Sequence, residues 1–217
     1  MKYLTYCFLT VLNLTLLKAQ NNSYAPRILS LNETRQIFID SIKREMKITY
    51  PIFRVYNYSD KSGSFLLVFT ESNDSIGDKD TFNHSIKAIN IKINKEKLVK
   101  VWEINDNIIK NDNKESSIWF WTSYFDFKDF DSDGLIEPII VYGTRGLNGY
   151  DDGRIKFIIF YNGKKIVIRH QNGILDYQRH TQIDDIFYLL PPKLKASIKS
   201  KMALMKKQGK AIFTDTW

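Results

Sequence analysis

The stretch IKFIIFYNGKKIVIRH, residues 155–170, decides the character of the chain. Two runs rich in β-branched and aromatic residues, Ile155–Tyr161 and Lys165–His170, flank Asn162-Gly163. Both central positions of a tight hairpin turn need positive φ, which Asn and Gly adopt at little cost, so the spacing predicts an antiparallel hairpin. The β character extends backwards from there. Ile136–Tyr142 reads as a strand, followed by a glycine-rich loop from Gly143 to Gly153. Within Ser117–Phe130, Trp119, Trp121, Phe125 and Phe127 fall on one side and Ile118, Phe120 and Tyr124 on the other, the pattern of a central strand covered on both faces. In Ile86–Ile93, Ile89, Ile91 and Ile93 alternate with polar residues, which gives one wet face and one dry face, and a turn at Asn94–Lys97 leads into Leu98–Ile104. Ile52–Tyr58 and Ser64–Glu71 read as strands around a hairpin turn at Asp60-Lys61-Ser62-Gly63. The polar stretches Asn73–Asp80 and 105–116 read as loops.

Both ends are helical. Ser30 and Glu33 have the spacing of a capping box, which opens a helix to about Lys47 with Phe38, Ile39, Ile42 and Met46 on one stripe. Asp184–Leu190 is a short helical candidate halted by Pro191-Pro192. A longer helix runs from Pro192 to Gln208 with Leu194, Ile198, Met202 and Met205 on one face and Gly209 as its stop. The sum is a single α+β domain over residues 30–217: an antiparallel β meander flanked by an N-terminal and a C-terminal helix. No repeat of 20–50 residues interrupts it.

The first residues belong to a different class. Lys2 precedes an apolar run from Leu4 to Leu17, and Ala19 supplies the small residue at a cleavage point. The run has the length of a signal-peptide core and falls short of the roughly 18 residues a membrane span needs. A cleavable secretory signal at 1–19 is expected, then a disordered leader at 20–29, and an exported chain in the periplasm or outside the cell. Cys7 lies inside the apolar run rather than after it, so the chain is not expected to be lipid-anchored. Loss of Lys2 and Lys18 leaves 30 basic and 24 acidic residues, a net +6 in place of +8. It also removes Cys7, the only cysteine, so disulfides cannot brace the exported chain and a core or a metal must. The heavy use of Ile, Asn and Lys resembles that of an AT-rich bacterial genome. Nucleic-acid binding fits the charge but not the compartment.

The most specific chemistry lies in Asp129-Phe130-Asp131-Ser132-Asp133-Gly134-Leu135-Ile136-Glu137. Three carboxylates at alternate positions converge if the chain wraps tightly at Gly134. The Leu135 carbonyl and the Glu137 carboxylate complete a shell of hard oxygen donors, the preference of Ca²⁺. The expected metal ligands are therefore Asp129, Asp131, Asp133, Leu135 and Glu137. An EF-hand would need Glu at the twelfth position, where Ile140 stands, and helices on both sides. The loop instead resembles the calcium loops of FG-GAP-type (integrin-propeller-like) repeats, with signature D-x-D-x-D-G-x-x-D. The resemblance spans Trp121 to Gly146, with Glu137 where Asp is usual. It occurs once, so it implies the calcium loop and not a propeller. Taken with the strand ending near Tyr142, the glycine-rich loop and the Phe160–Lys165 hairpin, the order is also similar to exported bacterial proteins loosely labelled as surface polysaccharide biosynthesis proteins. That resemblance implies a cell-envelope role, with anionic polysaccharide or lipopolysaccharide as partner, and no reaction type.

No catalytic residues are assigned. His84, His170 and His180 sit apart, and no G-x-S-x-G, H-E-x-x-H or P-loop pattern occurs. The competing class is a secreted hydrolase acting on envelope glycan, drawing on His170 and His180 with Asp184 and Asp185, or on Glu137 with Asp151 and Asp152 as paired carboxylates. Arg145, Asn148 and Tyr150, among glycines beside the ion loop, form a candidate ligand loop. Lys193, Lys195, Lys199, Lys201, Lys206 and Lys207 make the last helix basic with no acid, and Lys210 follows it. This suggests peripheral membrane contact, against the alternative of a helix docked through Leu194, Ile198 and Met202 with its lysines in water.

Overall fold

A computed structural model describes residues 26–76, 81–95, 97–109 and 115–213. The expected signal peptide and the leader up to residue 25 lie outside these residues. The chain divides into two compact units, each with its own sheet. The first takes residues up to Ser72 and Ile86–Asp106; the second takes Asn73–Ser85 and the chain from Asn107 onward. The α+β expectation holds, with antiparallel strands and helices toward both ends, but the strands are shared between two main sheets and a two-stranded ribbon rather than strung into one meander.

In the first unit, β1 (Arg27–Ile28), α1 (Leu31–Ile37), α2 (Asp40–Glu45), β2 (Ile52–Asp60) and β3 (Gly63–Glu71) come first. Strands are numbered along the chain, so β4 (Ser75–Ile76) and β5 (Thr81–Phe82) belong to the second unit, and β6 (Ser85–Asn94) and β7 (Lys97–Asn107) complete the first sheet in the order β1-β2-β3-β6-β7. The end of the expected leader is ordered: Arg27 and Ile28 pair antiparallel with Asn57 and Tyr56, and Leu29 is buried. The Ser30–Glu33 capping box forms as the spacing requires. Ser30 Oγ accepts the Glu33 N–H at 3.2 Å, and Glu33 accepts the Ser30 N–H at 2.8 Å. The helix expected to run to Lys47 instead breaks at Phe38–Ile39, where Ile39 is extended (φ −66°, ψ 165°). Packing explains the break. Ile37, Phe38, Met46 and Ile48 all enter the core over Val55, Leu66, Ile89 and Ile91, which one straight stripe could not achieve, and Ile39 is left 38% exposed.

The second unit holds β8 (Glu115–Phe120), β9 (Asp126–Lys128), β10 (Glu137–Gly146), β11 (Arg154–Tyr161), β12 (Lys164–Gln171) and β13 (His180–Ile183). They are ordered β13-β12-β11-β10-β8, with β9 also on β10. The β11–β12 hairpin forms around Asn162-Gly163 with Tyr161 opposite Lys164 and positive φ at both turn residues. The Ser117–Phe130 stretch is not one central strand. A 3₁₀ turn at Thr122–Tyr124 splits it, and β8 ends the sheet. Its two-sided apolar pattern comes from that turn, which drives Tyr124 into the core while Trp121 folds over β10. Gly143 is therefore a strand residue and not the start of a loop: a Cβ there would lie 2.5 Å from Trp121 Cζ2.

Helix α3 (Pro192–Lys207) closes this unit. It seats Leu194, Ile198, Met202 and Met205, all 4% exposed or less, against Ile139, Val141, Phe157 and Ile168. At roughly 1.5–3 kcal/mol per fully buried large apolar side chain, these four alone hold the helix firmly to the sheet. Asp184–Leu190, read as a short helix, contains a 3₁₀ turn over Asp185–Leu189.

Candidate metal centre

The acidic loop is the connection between β9 and β10, closed at its base by Lys128 opposite Glu137. Its sequence folds it locally. Asp129 accepts the N–H groups of Asp133 (3.1 Å) and Gly134 (2.8 Å), Asp131 that of Asp133 (3.1 Å), and Asp133 that of Leu135 (2.7 Å). Each aspartate thus bonds the backbone a few residues onward, the preferred local contact of this side chain. Ser132 (φ 63°) and Gly134 (φ 84°) supply the left-handed backbone that turns the loop inward. Phe130 and Ile136 drop into the interior between the acids, fixing which side chains face the loop's hollow.

The result is a convergence of four carboxylates. One oxygen from each of Asp129, Asp131, Asp133 and Glu137 lies within 4.8 Å of the others. Glu137, 3% exposed, forms the floor, and its Oε2 accepts the Phe130 N–H at 2.7 Å. Burial raises its carboxyl to about 7. The Phe130 N–H works against that rise, and the charges of Asp131, Asp129 and Asp133 add to it. A carboxylate has about four acceptor positions, so every member keeps capacity beyond its backbone bonds. The cluster can hold a metal ion, and an all-oxygen anionic donor set suits a hard divalent cation. Leu135 lies in the same loop with its N–H committed to Asp133.

Tyr161 joins from the sheet: its hydroxyl donates to Asp131 Oδ2 at 3.1 Å, a bond that raises the phenol's pKa. Thirty residues separate the two, and no local signal in the sequence could have paired them. A second long-range contact is the buried ion pair of Glu115 and Arg154. Glu115, 8% exposed, also accepts from Thr144 Oγ1 (2.9 Å) and the Ile109 N–H (2.7 Å), so both charges are compensated.

The candidate ligand loop is dispersed over different structural roles. Arg145 sits in β10 opposite Ser117. Asn148 folds back on Asp152, to which its backbone N–H and side-chain amide both donate (3.0 and 3.1 Å). The Tyr150 ring meets Trp121 edge-on at 5.6 Å, lies 3.7 Å from the Lys210 ammonium, and its carbonyl accepts from Asn172.

The groups that a hydrolase would draw on are also placed. His170 is not at the surface. It is 2% exposed, with Nδ1 2.8 Å from Thr181 Oγ1, Nε2 2.8 Å from Asn172 Oδ1 and the Phe213 ring 4.4 Å away. Burial lowers its pKa to about 4, so it is a neutral packing residue. His180 is exposed one register position away, and Asp184 is bound by Arg169 at 2.7 Å and by the Val167 N–H at 2.9 Å. Among the described residues, the β9–β10 loop is the one group of three or more metal-ligating side chains that converges. No described helix is long and apolar enough to cross a membrane. No family model, curated protein or solved structure matches the chain.

Proposed function

We propose that the chain is an exported, non-enzymatic cell-envelope protein whose β9–β10 loop binds Ca²⁺ as a structural brace, and that it acts in surface polysaccharide assembly or binding. The observation that carries the calcium reading is the convergence of Asp129, Asp131 and Asp133 over the buried Glu137. Four carboxylates facing one hollow repel one another, and a divalent cation removes that cost. The ion would tie β9 to β10, next to the core that α3 covers. Extracellular calcium modules bind at about 10⁻⁴–10⁻³ M, which suits an exported chain without cysteine in its mature part. The polysaccharide role rests on the resemblance of the loop and hairpin order to exported envelope proteins.

Calorimetric titration of metal-free protein (Gln20 onward) with Ca²⁺ tests the loop. A heat of binding, with a rise in thermal midpoint at millimolar calcium, is expected from wild type and not from Asp131→Asn. No heat and no thermal shift would remove calcium. The surface-glycan profile of a deletion strain tests the role: an unchanged profile removes the polysaccharide assignment and leaves the loop.

A further inference from the structure

Helix α3 is basic and amphipathic, yet its apolar stripe is committed to its own core, so the helix cannot dip that face into lipid. The turn leading into it offers apolar groups instead. In Asp185–Leu189, Phe187 is anchored at 2% exposure, and so is Leu190 just beyond. Pinning these two turns their neighbours outward: Ile186 is 38%, Tyr188 56% and Leu189 82% exposed. A turn needs no such residues for its own sake, because polar ones would serve it without leaving apolar surface in water.

Charge lies directly beside this patch. Helix α3 has six lysines and no acid among its sixteen residues. The Lys195 ammonium donates to the Tyr188 carbonyl at 2.9 Å, which places positive charge at the foot of the apolar group, and exposed Lys193 stands in the same first turn. Of the acids nearby, Asp184 is bound by Arg169, and Asp185 alone among the turn's residues is negative. Farther along, Lys201 is held by Asp126 at 3.2 Å and faces the body of the unit. An aromatic and two aliphatic side chains projecting beside lysines complement an anionic bilayer, where apolar tips enter the headgroup boundary and ammonium groups meet phosphates.

We infer that Ile186, Tyr188 and Leu189 with Lys193 and Lys195 form a docking surface for an anionic lipid bilayer. The inference rests on the envelope reading for its compartment only and owes nothing to the calcium loop or the polysaccharide role. It differs from insertion of an amphipathic helix, because the penetrating groups belong to the turn and the helix contributes charge.

The test is co-sedimentation of the chain from Gln20 onward, since Leu4–Leu17 would itself enter lipid. The probes are vesicles of pure phosphatidylcholine and vesicles with about a third phosphatidylglycerol, at millimolar calcium. Binding is expected on the anionic vesicles, weaker by tenfold or more on neutral ones, and lost in high salt. Leu189→Ser should weaken it about tenfold. Lys193→Gln with Lys195→Gln should weaken it by about tenfold or more. Lys206→Gln with Lys207→Gln, at the far end of the helix, should change it little. All five positions are at or near the surface, and circular dichroism checks that the variants fold. Equal binding to both vesicle types, no binding, or binding indifferent to Leu189→Ser would each overturn the surface. Calcium heat retained without vesicle binding would overturn this inference and leave the calcium reading intact.

Discussion

Replacing Glu137 with Gln should shift stability in opposite directions with and without calcium. Glu137 is 3% exposed beneath three aspartates, and burial raises its carboxyl from 4.5 to about 7, with the Phe130 N–H opposing and the three aspartates adding to the rise. The folded chain therefore holds this proton more tightly than the unfolded chain does. Metal-free stability is full below 4.5, falls as pH rises through about 7, and stays low above it. At about 1.4 kcal/mol per unit, the shift amounts to about 3 kcal/mol lost by the metal-free protein in mild alkali. Glutamine keeps an acceptor for the Phe130 N–H and carries no charge to bury. In chelator above neutral pH, Glu137→Gln should gain most of that 3 kcal/mol, about 2 kcal/mol after allowing for imperfect amide packing. Calcium should reverse the order. On the calcium reading proposed above, wild type should gain about 2.7 kcal/mol at a hundredfold excess over its dissociation constant, whereas the variant, short of one anionic ligand, should gain little. Urea unfolding followed by tryptophan fluorescence, in chelator and in calcium, on both sides of neutrality, reads all four combinations. A variant less stable than wild type in chelator, or one stabilised by calcium as much as wild type, would refute the reasoning.

His170 gives a pH dependence of the other sign. Its lowered value, about 4 against 6.5 when unfolded, means the folded chain holds fewer protons between them, so stability is full above 6.5 and falls as pH drops toward 4, by about 3 kcal/mol. Urea midpoints across that range should track the loss, and a His170 ring signal titrating near its ordinary value by NMR would contradict it. Gly143→Ala should destabilise by about 1–3 kcal/mol, because its Cβ would meet Trp121 at 2.5 Å and the Arg154 carbonyl at 2.8 Å; an unchanged urea midpoint would show that Trp121 yields freely. Asn57, 1% exposed, buries both amide atoms without a hydrogen-bond partner among the described residues. Asn57→Val should raise stability by about 1 kcal/mol or more at unchanged denaturant slope, and a loss would mean that the amide is satisfied in solution.

Features set by neighbours in sequence were legible beforehand. The Ser30–Glu33 box, the Asn162-Gly163 hairpin, the α3 stripe from Leu194 to Met205 and the convergence of Asp129, Asp131, Asp133 and Glu137 all depend on contacts within a few residues. For these the spacing alone states the geometry. Features requiring a distant partner were misread. Ser117–Phe130 looked like a covered strand because composition cannot tell a strand's second face from a turn that tucks Tyr124 inward. Gly143 looked like loop because only Trp121 lying over it reveals why a strand needs glycine there. His170 stood among the groups a hydrolase could draw on because its neighbours in sequence do not show that Asn172 and Phe213 enclose it.

The sequence by itself determined the antiparallel character, the terminal helices and the acidic loop, all written in local periodicity, caps and turn residues. Only the tertiary structure decided that the strands divide between two main sheets and a two-stranded ribbon, that Tyr161 reaches Asp131, that Glu115 is buried with Arg154, and that Leu189 is left in water beside α3. The physical reason is range. Hydrogen bonds within a turn are specified by adjacent residues, whereas burial is a property of the whole packed unit and falls wherever complementary surfaces meet.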